Sequence, residues 1–517
     1  MVRMVGSTRL LAVAIAGLFF ATMFVGMATP VNAAAVPAWT QMPNMGTNRS
    51  QAVVVTGSDG LIYVMGGFTS VAAGPAADAN SYNPKTGEWK DLADMPLATR
   101  GAAGAADTNG KVYVFGGDAG GVVATTQIYD IATDAWSTGA DMPAVRWEAK
   151  AAYTNGYIYV AGGYSAATQS TVWYYSPSGD SWNVKPALPA PRMAGALLAV
   201  GSDIYYIGGL SGISTAVDDV YRLNVYSGVA WDSIATLPVN RGALAGTVGP
   251  DGVMYVFGGG TNWYNIDEGN VTGYYYDWSS ATWKSLPDLP LAVRYSGATG
   301  TNDGRIWCLG GSNATAVFNR VFSMQVASYT LVPTPTSVGQ GQFLMVTITP
   351  SFAFTVPTAY GTYGYIVGPD GSIYGTTSSG GMGPSIYIPE GRSFAVVMPI
   401  PQGAPVGAYT FVLTGIEFST VGDFGGFLDG KNATFDVVAA LSTQEQIALL
   451  QDQIAHLQSM VGANDTALLA QIAALQTQLT ALQNKQLDST TGTIILVLVV
   501  IAIIIMLVVM VLLLRKK

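Results

Sequence analysis

The chain has 517 residues, room for several domains, and half of it is hydrophobic while only 11% is charged. Its net charge of −9 argues against nucleic acid as a partner, because phosphate binding wants a basic surface. One cysteine, Cys308, rules out an intrachain disulfide framework and reads as a small core hydrophobe in a buried strand.

Residues 1–33 have the pattern of a secretory signal. Arg3 and Arg9 give a positive start, Leu10 to Met27 is apolar, and Val31-Asn32-Ala33 is a small-residue cleavage site. The alternative is an uncleaved signal anchor; either way the residues that follow are exported.

Residues 37–327 repeat one pattern. An apolar strand runs into a Gly pair, and a Tyr, a Trp, a Pro and an Arg follow. The pairs begin at Gly66, Gly116, Gly162, Gly208, Gly258 and Gly310. The Trp markers are Trp39, Trp89, Trp136, Trp182, Trp231 and Trp283, and the Arg markers are Arg49, Arg100, Arg146, Arg192, Arg241 and Arg294, each 10 or 11 residues after its Trp. Strands such as Ile62-Tyr63-Val64-Met65 are bounded by Asp59-Gly60, Asn109-Gly110 and Asn155-Gly156, dipeptides suited to hairpin turns with positive φ. Trp39 has no Gly pair before it and Gly310-Gly311 has no Trp after it. The first segment is therefore expected to supply the outer strand of the last repeat and so close a ring.

Val332-Pro333-Thr334-Pro335-Thr336 reads as a stiff linker. Residues 340–438 carry candidate strands at Phe343–Thr349, Tyr363–Val367, Ser385–Ile388, Phe394–Met398, Ala408–Thr414 and Ala433–Val438, which suggests an immunoglobulin-like sandwich on architecture alone. Residues 442–487 are helical. Ile447, Leu450, Ile454, Leu457 and Val461, then Leu468, Ile472, Leu475, Leu479 and Leu482, step by three and four with a break at Gly462-Ala463-Asn464-Asp465. A coiled-coil stalk, implying a homodimer or homotrimer, is favoured over a hairpin of two antiparallel helices. Residues 494–514 form an unbroken apolar run of 21 residues followed by Arg515-Lys516-Lys517, the pattern of a transmembrane helix with its C-terminal tail, 515–517, in the cytoplasm. The sequons at Asn48, Asn270, Asn313, Asn432 and Asn464 are candidate glycosylation sites on the exported part.

The repeat resembles the kelch repeat, whose period is about 50 residues. That resemblance implies a six-bladed, all-β propeller in which the Gly pair ends the second strand, the Tyr lies in the third and the Trp in the fourth; the last copy departs, with Phe322 in place of Tyr. Signal, β domains, helical stalk and terminal anchor together resemble a membrane-anchored archaeal cell-surface protein, similar to the stalked components of surface layers.

Kelch propellers include copper enzymes of the galactose-oxidase type, which use two His, two Tyr and a Cys–Tyr crosslink. The only histidine here is His456, at a solvent-facing position of the helical segment, so neither that site, a His-based zinc site nor a Ser–His–Asp triad can be built in the propeller. No cofactor and no metal is expected. Asp218-Asp219 and Asp267-Glu268 are adjacent carboxylates, poor acid–base pairs that are better read as solvated loop charges. By the resemblance, the six Arg circle one mouth of the channel, where they either hold an acidic ligand or brace the blades. Trp263 and Tyr264, in the longest loop on that face, suit sugar stacking or a protein hot spot. The expectation is a non-catalytic, single-pass surface protein that binds a cell-envelope protein or glycan. The alternatives are a surface-layer stalk or an extracellular carbohydrate-active enzyme.

Overall fold

The computed structural model describes residues 37–70, 72–262, 269–352, 359–376, 386–387, 394–420, 423–439, 441–460 and 466–487. The signal, the loop residues Trp263, Tyr264, Asp267 and Glu268, the sequon Asn464 and the apolar run 494–514 lie outside the described residues. Among the described residues no helix is long and apolar enough to cross a membrane.

Six four-stranded antiparallel sheets follow one another along the chain. The first is Val53–Thr56, Ile62–Met65, Ala79–Tyr82 and Trp89–Asp91, paired in that order. The second to fifth begin at Ala103–Ala106, Lys150–Thr154, Ala196–Val200 and Ala245–Val248. The sixth takes Gly297–Thr301, Arg305–Leu309 and Val321–Gln325, and its outer strand is Thr40–Met42 from the start of the propeller. The second strands are buried along their length, as in Ile62–Met65 and Tyr157–Ala161 after its first residue, because both faces of each blade pack on neighbours. Outer strands such as Ser181–Lys185 face solvent and are mostly polar.

The Gly pairs join adjacent blades. A Cβ on Gly162 would stand 2.4 Å from the Arg192 carbonyl of the next blade, and the N–H of Gly163 donates to that carbonyl at 2.8 Å. Both glycines have φ in the left-handed region, 67° and 93°. Each Trp supplies a second join. The indole N–H of Trp89, Trp136, Trp182, Trp231 and Trp283 donates to Pro43, Ala93, Ala140, Pro186 and Ala235 of the preceding repeat at 2.8–3.1 Å.

The residues after the propeller form two sheets. Ala327–Thr334, Phe343–Phe352 and Phe394–Pro399 make one; Ser337–Gly339, Asp423–Val438, Gly407–Thr420, Ala359–Val367 and Ile373–Thr376 make the other, with Ile386–Tyr387 also paired to Ala359–Val367. Leu344, Val346 and Ile348 from the first share a core with Tyr409, Phe411 and Val437 from the second. The linker expectation is corrected here. Pro333 and Thr334 belong to a strand, opposite Val346 and Met345. That strand lies at a sheet edge, where a proline's missing N–H costs no ladder bond. Asp429 ties this domain to the propeller: its N–H donates to Asn302 O at 2.6 Å, and its carboxylate pairs with Lys85 at 2.8 Å.

Two helices follow, α1 (Thr443–Met460) and α2 (Thr466–Leu487). Ser442 opens α1 with a capping box: Glu445 Oε2 accepts from the Ser442 N–H at 2.8 Å. The favoured stalk is not what the structure shows. Ile447, Leu450, Ile454 and Leu457 of α1 share one core with Ile472, Leu475 and Leu479 of α2, and with Met345 of the strand Phe343–Phe352. Two helices separated by five residues and packed on each other run antiparallel, so this three–four seam is buried within the chain. His456 is likewise not a free surface residue: its Nε2 lies 2.9 Å from Thr347 Oγ1. The spacing could not discriminate these arrangements, since the same seam serves a partner helix or a sheet.

Candidate binding face and channel

The inner strands meet at a closed ring. Gln51, Gly101, Glu148, Ala194, Ala243 and Tyr295 hold equivalent places, each two residues beyond the join to the preceding blade, and all have φ between 51° and 59°. Each N–H donates to the carbonyl of the preceding member: Gly101 to Gln51, Glu148 to Gly101, Ala194 to Glu148, Ala243 to Ala194, Tyr295 to Ala243 and Gln51 to Tyr295, at 2.7–3.1 Å. A left-handed residue aims its N–H along the circumference, which satisfies the backbone where six chains converge.

Along the inner strands, one to three residues beyond the ring positions, runs a cavity of about 120 Å³. Small residues line it, among them Ala102, Gly195, Ala245 and Ser296, with one charged side chain, Lys150. Lys150 Nζ sits 3.0 Å from Glu148 Oε2; the Glu148 side chain is buried, while that of Lys150 is 28% exposed. Burial first, and then the Glu148 carboxylate, push the Tyr295 hydroxyl up.

The six Arg do not form one set. The carbonyls of Arg49, Arg146, Arg192 and Arg241 accept the Gly-pair N–H of the preceding blade. In the other two blades Thr99 and Val293 take that place, and Arg100 and Arg294 stand one residue further on. There they align with Ser50, Trp147, Met193 and Gly242 as partners in the short bridges that flank the mouth. The 10- and 11-residue spacings were this difference. The first four are buried braces. Arg49 pairs with Asp78 and Arg192 with Asp219; Arg146 and Arg241 donate to Thr171 and Thr272 at 2.8 and 2.7 Å. Their partners all stand just before a third strand, so the guanidinium ties two strands of one blade together. Arg146 also lies over the Trp173 ring, 4.4 Å from its centroid. Arg100 bonds Asp118 through Nε at 3.0 Å and a terminal nitrogen at 2.8 Å. Arg294 is buried, 5.5 Å from the Tyr295 ring centroid.

Above the ring the mouth has two halves. On blades three and four, Trp147, Tyr164, Met193, Leu210, Ile213 and Ala216 gather with Tyr295 into an apolar cluster. Leu210 and Met193 are buried beneath it, whereas Trp147, Tyr164 and Ile213 keep part of their surface in solvent. On blades six, one and two the contacts are mostly polar: Ser50 Oγ donates to Ser312 Oγ at 3.1 Å and Arg100 pairs with Asp118, with Phe68, the bridge partner of Ser50, beneath the Arg100 guanidinium.

Of the expected carboxylates, Asp219 is taken by Arg192. Among the described residues no three His, Cys, Asp or Glu side chains converge as a metal cluster would. Asn48 and Asn432 are exposed. Asn270 and Asn313 fold into turns in which Oδ1 accepts the N–H of Thr272 and Thr315, at 2.8 and 3.0 Å. Cys308 is buried, and burial pushes its thiol up to about 12. Trp147, Glu148 and Lys150 were missed as site residues. Stacking the repeats in register would have shown Lys150 where the other inner strands carry Val53, Ala103, Ala196, Ala245 and Gly297.

Residues 35–209 match the family model of the KLHDC2/KLHL20/DRC7 Kelch-repeats domain. The chain is similar to Kelch-like protein terF of Aspergillus terreus, 30% identical over 135 residues that make up 23% of this chain and 29% of that protein. It is also similar to Kelch-like protein 40 of Xenopus laevis, 36% identical over 93 residues, 18% of this chain and 15% of that one. The chain thus spans under a third of either relative. A solved fungal alcohol oxidase of the AA5 family, in complex with copper, aligns at 16% identity and a TM-score of 0.48, covering 78% of this chain and 100% of that one. That likeness carries nothing about activity. The chain carries a kelch-repeat propeller.

Proposed function

We propose that this chain is a non-catalytic binding protein whose propeller mouth engages a protein or glycan of a cell envelope. In this reading 494–514 anchors it in the membrane, the residues before that run are extracellular, and the two-sheet domain is immunoglobulin-like. The observation that carries the binding reading is the half-apolar mouth, where Trp147, Tyr164 and Ile213 remain partly open to solvent over a channel closed by backbone hydrogen bonds. Aromatic and aliphatic anchors beside polar groups are the composition of recognition hot spots. The kelch relatives favour a protein partner, since kelch repeats generally mediate protein interactions. Four of the arginines brace the blades, the other of the two roles open to them, so the binding reading rests on the mouth residues rather than on an arginine ring.

The test is retention of the purified full chain on envelope membranes of its own cells, against a variant carrying Tyr164→Ala and Ile213→Ser. Saturable retention that the folded variant loses supports the mouth as the binding face. Equal retention of both proteins moves binding elsewhere on the chain.

A further inference from the structure

We propose that a cleft between the third and fourth blades, at the end of the propeller away from the mouth, binds a neutral glycan, with Tyr159 hydrogen-bonding a sugar hydroxyl and Tyr226 stacking on a sugar ring. The site is separate from the mouth and does not depend on the mouth-face reading.

The third residue before each Gly pair is a buried aromatic with one polar group: Tyr63, Tyr113, Tyr159, Tyr205, Tyr255 and Trp307. All but Tyr159 donate inside their own blade. Tyr63 donates to Asp59 at 2.8 Å, Tyr113 to Asp107 at 3.1 Å, Tyr205 to Asp203 at 3.4 Å, Tyr255 to Asp251 at 2.6 Å and Trp307 to Thr301 at 2.6 Å. Those acceptors stand two, four or six residues earlier in the chain. In blade three the same places hold Tyr157, Asn155 and Tyr153, none of which bonds Tyr159; Tyr153 meets Thr108 instead, at 3.2 Å. Tyr159 is 2% exposed, and its hydroxyl has no hydrogen-bond partner among the described residues. Nor is that hydroxyl sealed in, as those of Tyr82 and Tyr206 are, so it reaches the surface. A nearly buried hydroxyl without a partner calls for a group from outside the chain.

Three further tyrosines gather around it. The Tyr159 and Tyr174 ring centroids are 5.8 Å apart, and Tyr157 meets Tyr174 edge-on at 5.3 Å. Tyr159, Tyr174 and Asn183 stand opposite one another across three strands, on the face turned toward blade four. Lys185 crosses to that blade: its Nζ donates to the Val225 carbonyl at 2.6 Å and lies 5.3 Å from the Tyr174 ring centroid. The bond holds beside the cleft the turn that carries Tyr226, 73% exposed. Tyr157 and Tyr226 border turns between first and second strands and between third and fourth strands, the end opposite the loops of the mouth. Among the described residues, every exposed large hydrophobic side chain of the propeller belongs to residues 145–239, which marks these two blades as a recognition flank.

The surroundings decide the ligand. Burial first, then Tyr174, Tyr226 and Tyr157, push the Tyr159 hydroxyl up, so it stays a neutral donor with no charged side chain acting on it. A charged ligand would therefore lose its hydration beside Tyr159 without gaining a counter-charge there. A purely apolar ligand would leave the hydroxyl unpaired. A sugar meets both demands. Its hydroxyls donate to and accept from Tyr159, and its C–H face lies on the Tyr226 ring. The exposed Asn183 amide, beside Tyr174, is placed for a second hydroxyl.

The probes are maltotriose, cellotriose and mannotriose, on the full chain in a zwitterionic detergent that contains no sugar, with binding followed by saturation-transfer NMR. The proposal expects saturable binding of at least one, weakened at least about tenfold in Tyr159→Phe and in Tyr226→Ala. Ile373→Ser, at a position 62% exposed in the two-sheet domain, should bind as the parent does. Trigalacturonic acid should bind at least about tenfold more weakly than the neutral sugar. A second measurement needs no ligand. Tyr159→Phe removes no internal bond and should unfold in urea where the parent does, whereas Tyr113→Phe loses its bond to Asp107 and should unfold earlier. Absence of saturable binding by all three neutral sugars overturns the proposal, whether water or a protein partner meets Tyr159 instead. So does binding that either tyrosine variant retains, tighter binding of trigalacturonic acid, or a Tyr159→Phe that unfolds as early as Tyr113→Phe.

Discussion

The indole N–H of Trp39 donates to the carbonyl of Pro287, 248 residues away, at 3.0 Å. It is the same bond that joins every other pair of neighbouring repeats, made here between the start and the end of the propeller. With Thr40–Met42 on Val321–Gln325, it closes the ring.

Closure predicts a specific weakness. Trp39→Phe removes one partly buried hydrogen bond and should cost about 1 kcal/mol in denaturant unfolding. Deleting residues 37–42 should cost far more, because it strips the outer strand from the sixth blade and leaves Val321–Gln325 as an open edge. Light scattering on heating should show earlier aggregation of the deletion than of the substitution.

The two classes of arginine should separate by stability. Arg192→Met leaves Asp219 and Tyr221 without their donor and should cost roughly 2 kcal/mol, below the full value for a buried pair because Asp219 is 35% exposed. Arg100→Met breaks a more exposed pair and should cost under about 1 kcal/mol. Equal losses in urea titrations would contradict the division into braces and mouth residues.

Asp251 gives a pH signature. Buried in the turn between the two inner strands of the fifth blade, with Tyr255 Oη donating to it at 2.6 Å, it is pushed up to about 7 by burial. In the unfolded chain the group titrates near ~3.9. Between those values the folded protein holds a proton that the unfolded one releases. Its contribution is therefore full below about pH 4, falls as the pH climbs toward 7 and is constant above. Asp134 and Asp180 are shifted the other way by backbone hydrogen bonds, so their contribution is complete above about pH 4 and is lost only in more acid solution, outside this window. Comparing the parent with Asp251→Asn at pH 5 and pH 8 isolates the effect: the parent should lose more stability across that interval than the variant.

The helical pair makes a further prediction. Leu457 is buried where α1, α2 and the sheet strand Phe343–Phe352 share a core, so Leu457→Ala should cost about 2–4 kcal/mol of that domain's stability. A stalk that joins copies would instead show the loss as a change in oligomeric state on sedimentation.

Much of the propeller was legible because each signal reports a join that recurs six times. The Gly pair marks a close approach between blades, and the Trp marks a bond to the preceding repeat. The unpaired Trp39 marked the closure. The site was less legible. Four of the arginines recur because each braces two strands of its own blade, so their regularity signalled a structural role. Only the one-residue slip at Arg100 and Arg294 set any of them apart. Glu148 and Lys150 are visible only when the repeats are aligned to the ring position, which depends on backbone φ rather than on residue type. The strand through Pro333 was hidden because proline is allowed at an edge that only the tertiary fold creates. The helical seam was read correctly as a seam, but its partner is the chain's own second helix, with Met345 of the sheet in the same core.

The most direct test of the mouth as a binding face is hydrogen–deuterium exchange on the full chain, alone and with envelope membranes of its own cells. The account predicts slowed exchange in the segments 164–169 and 210–217 beside Trp147, with the outer strands such as Ser181–Lys185 unchanged. Protection confined to the outer strands, or to the two-sheet domain after Ala327, would contradict it.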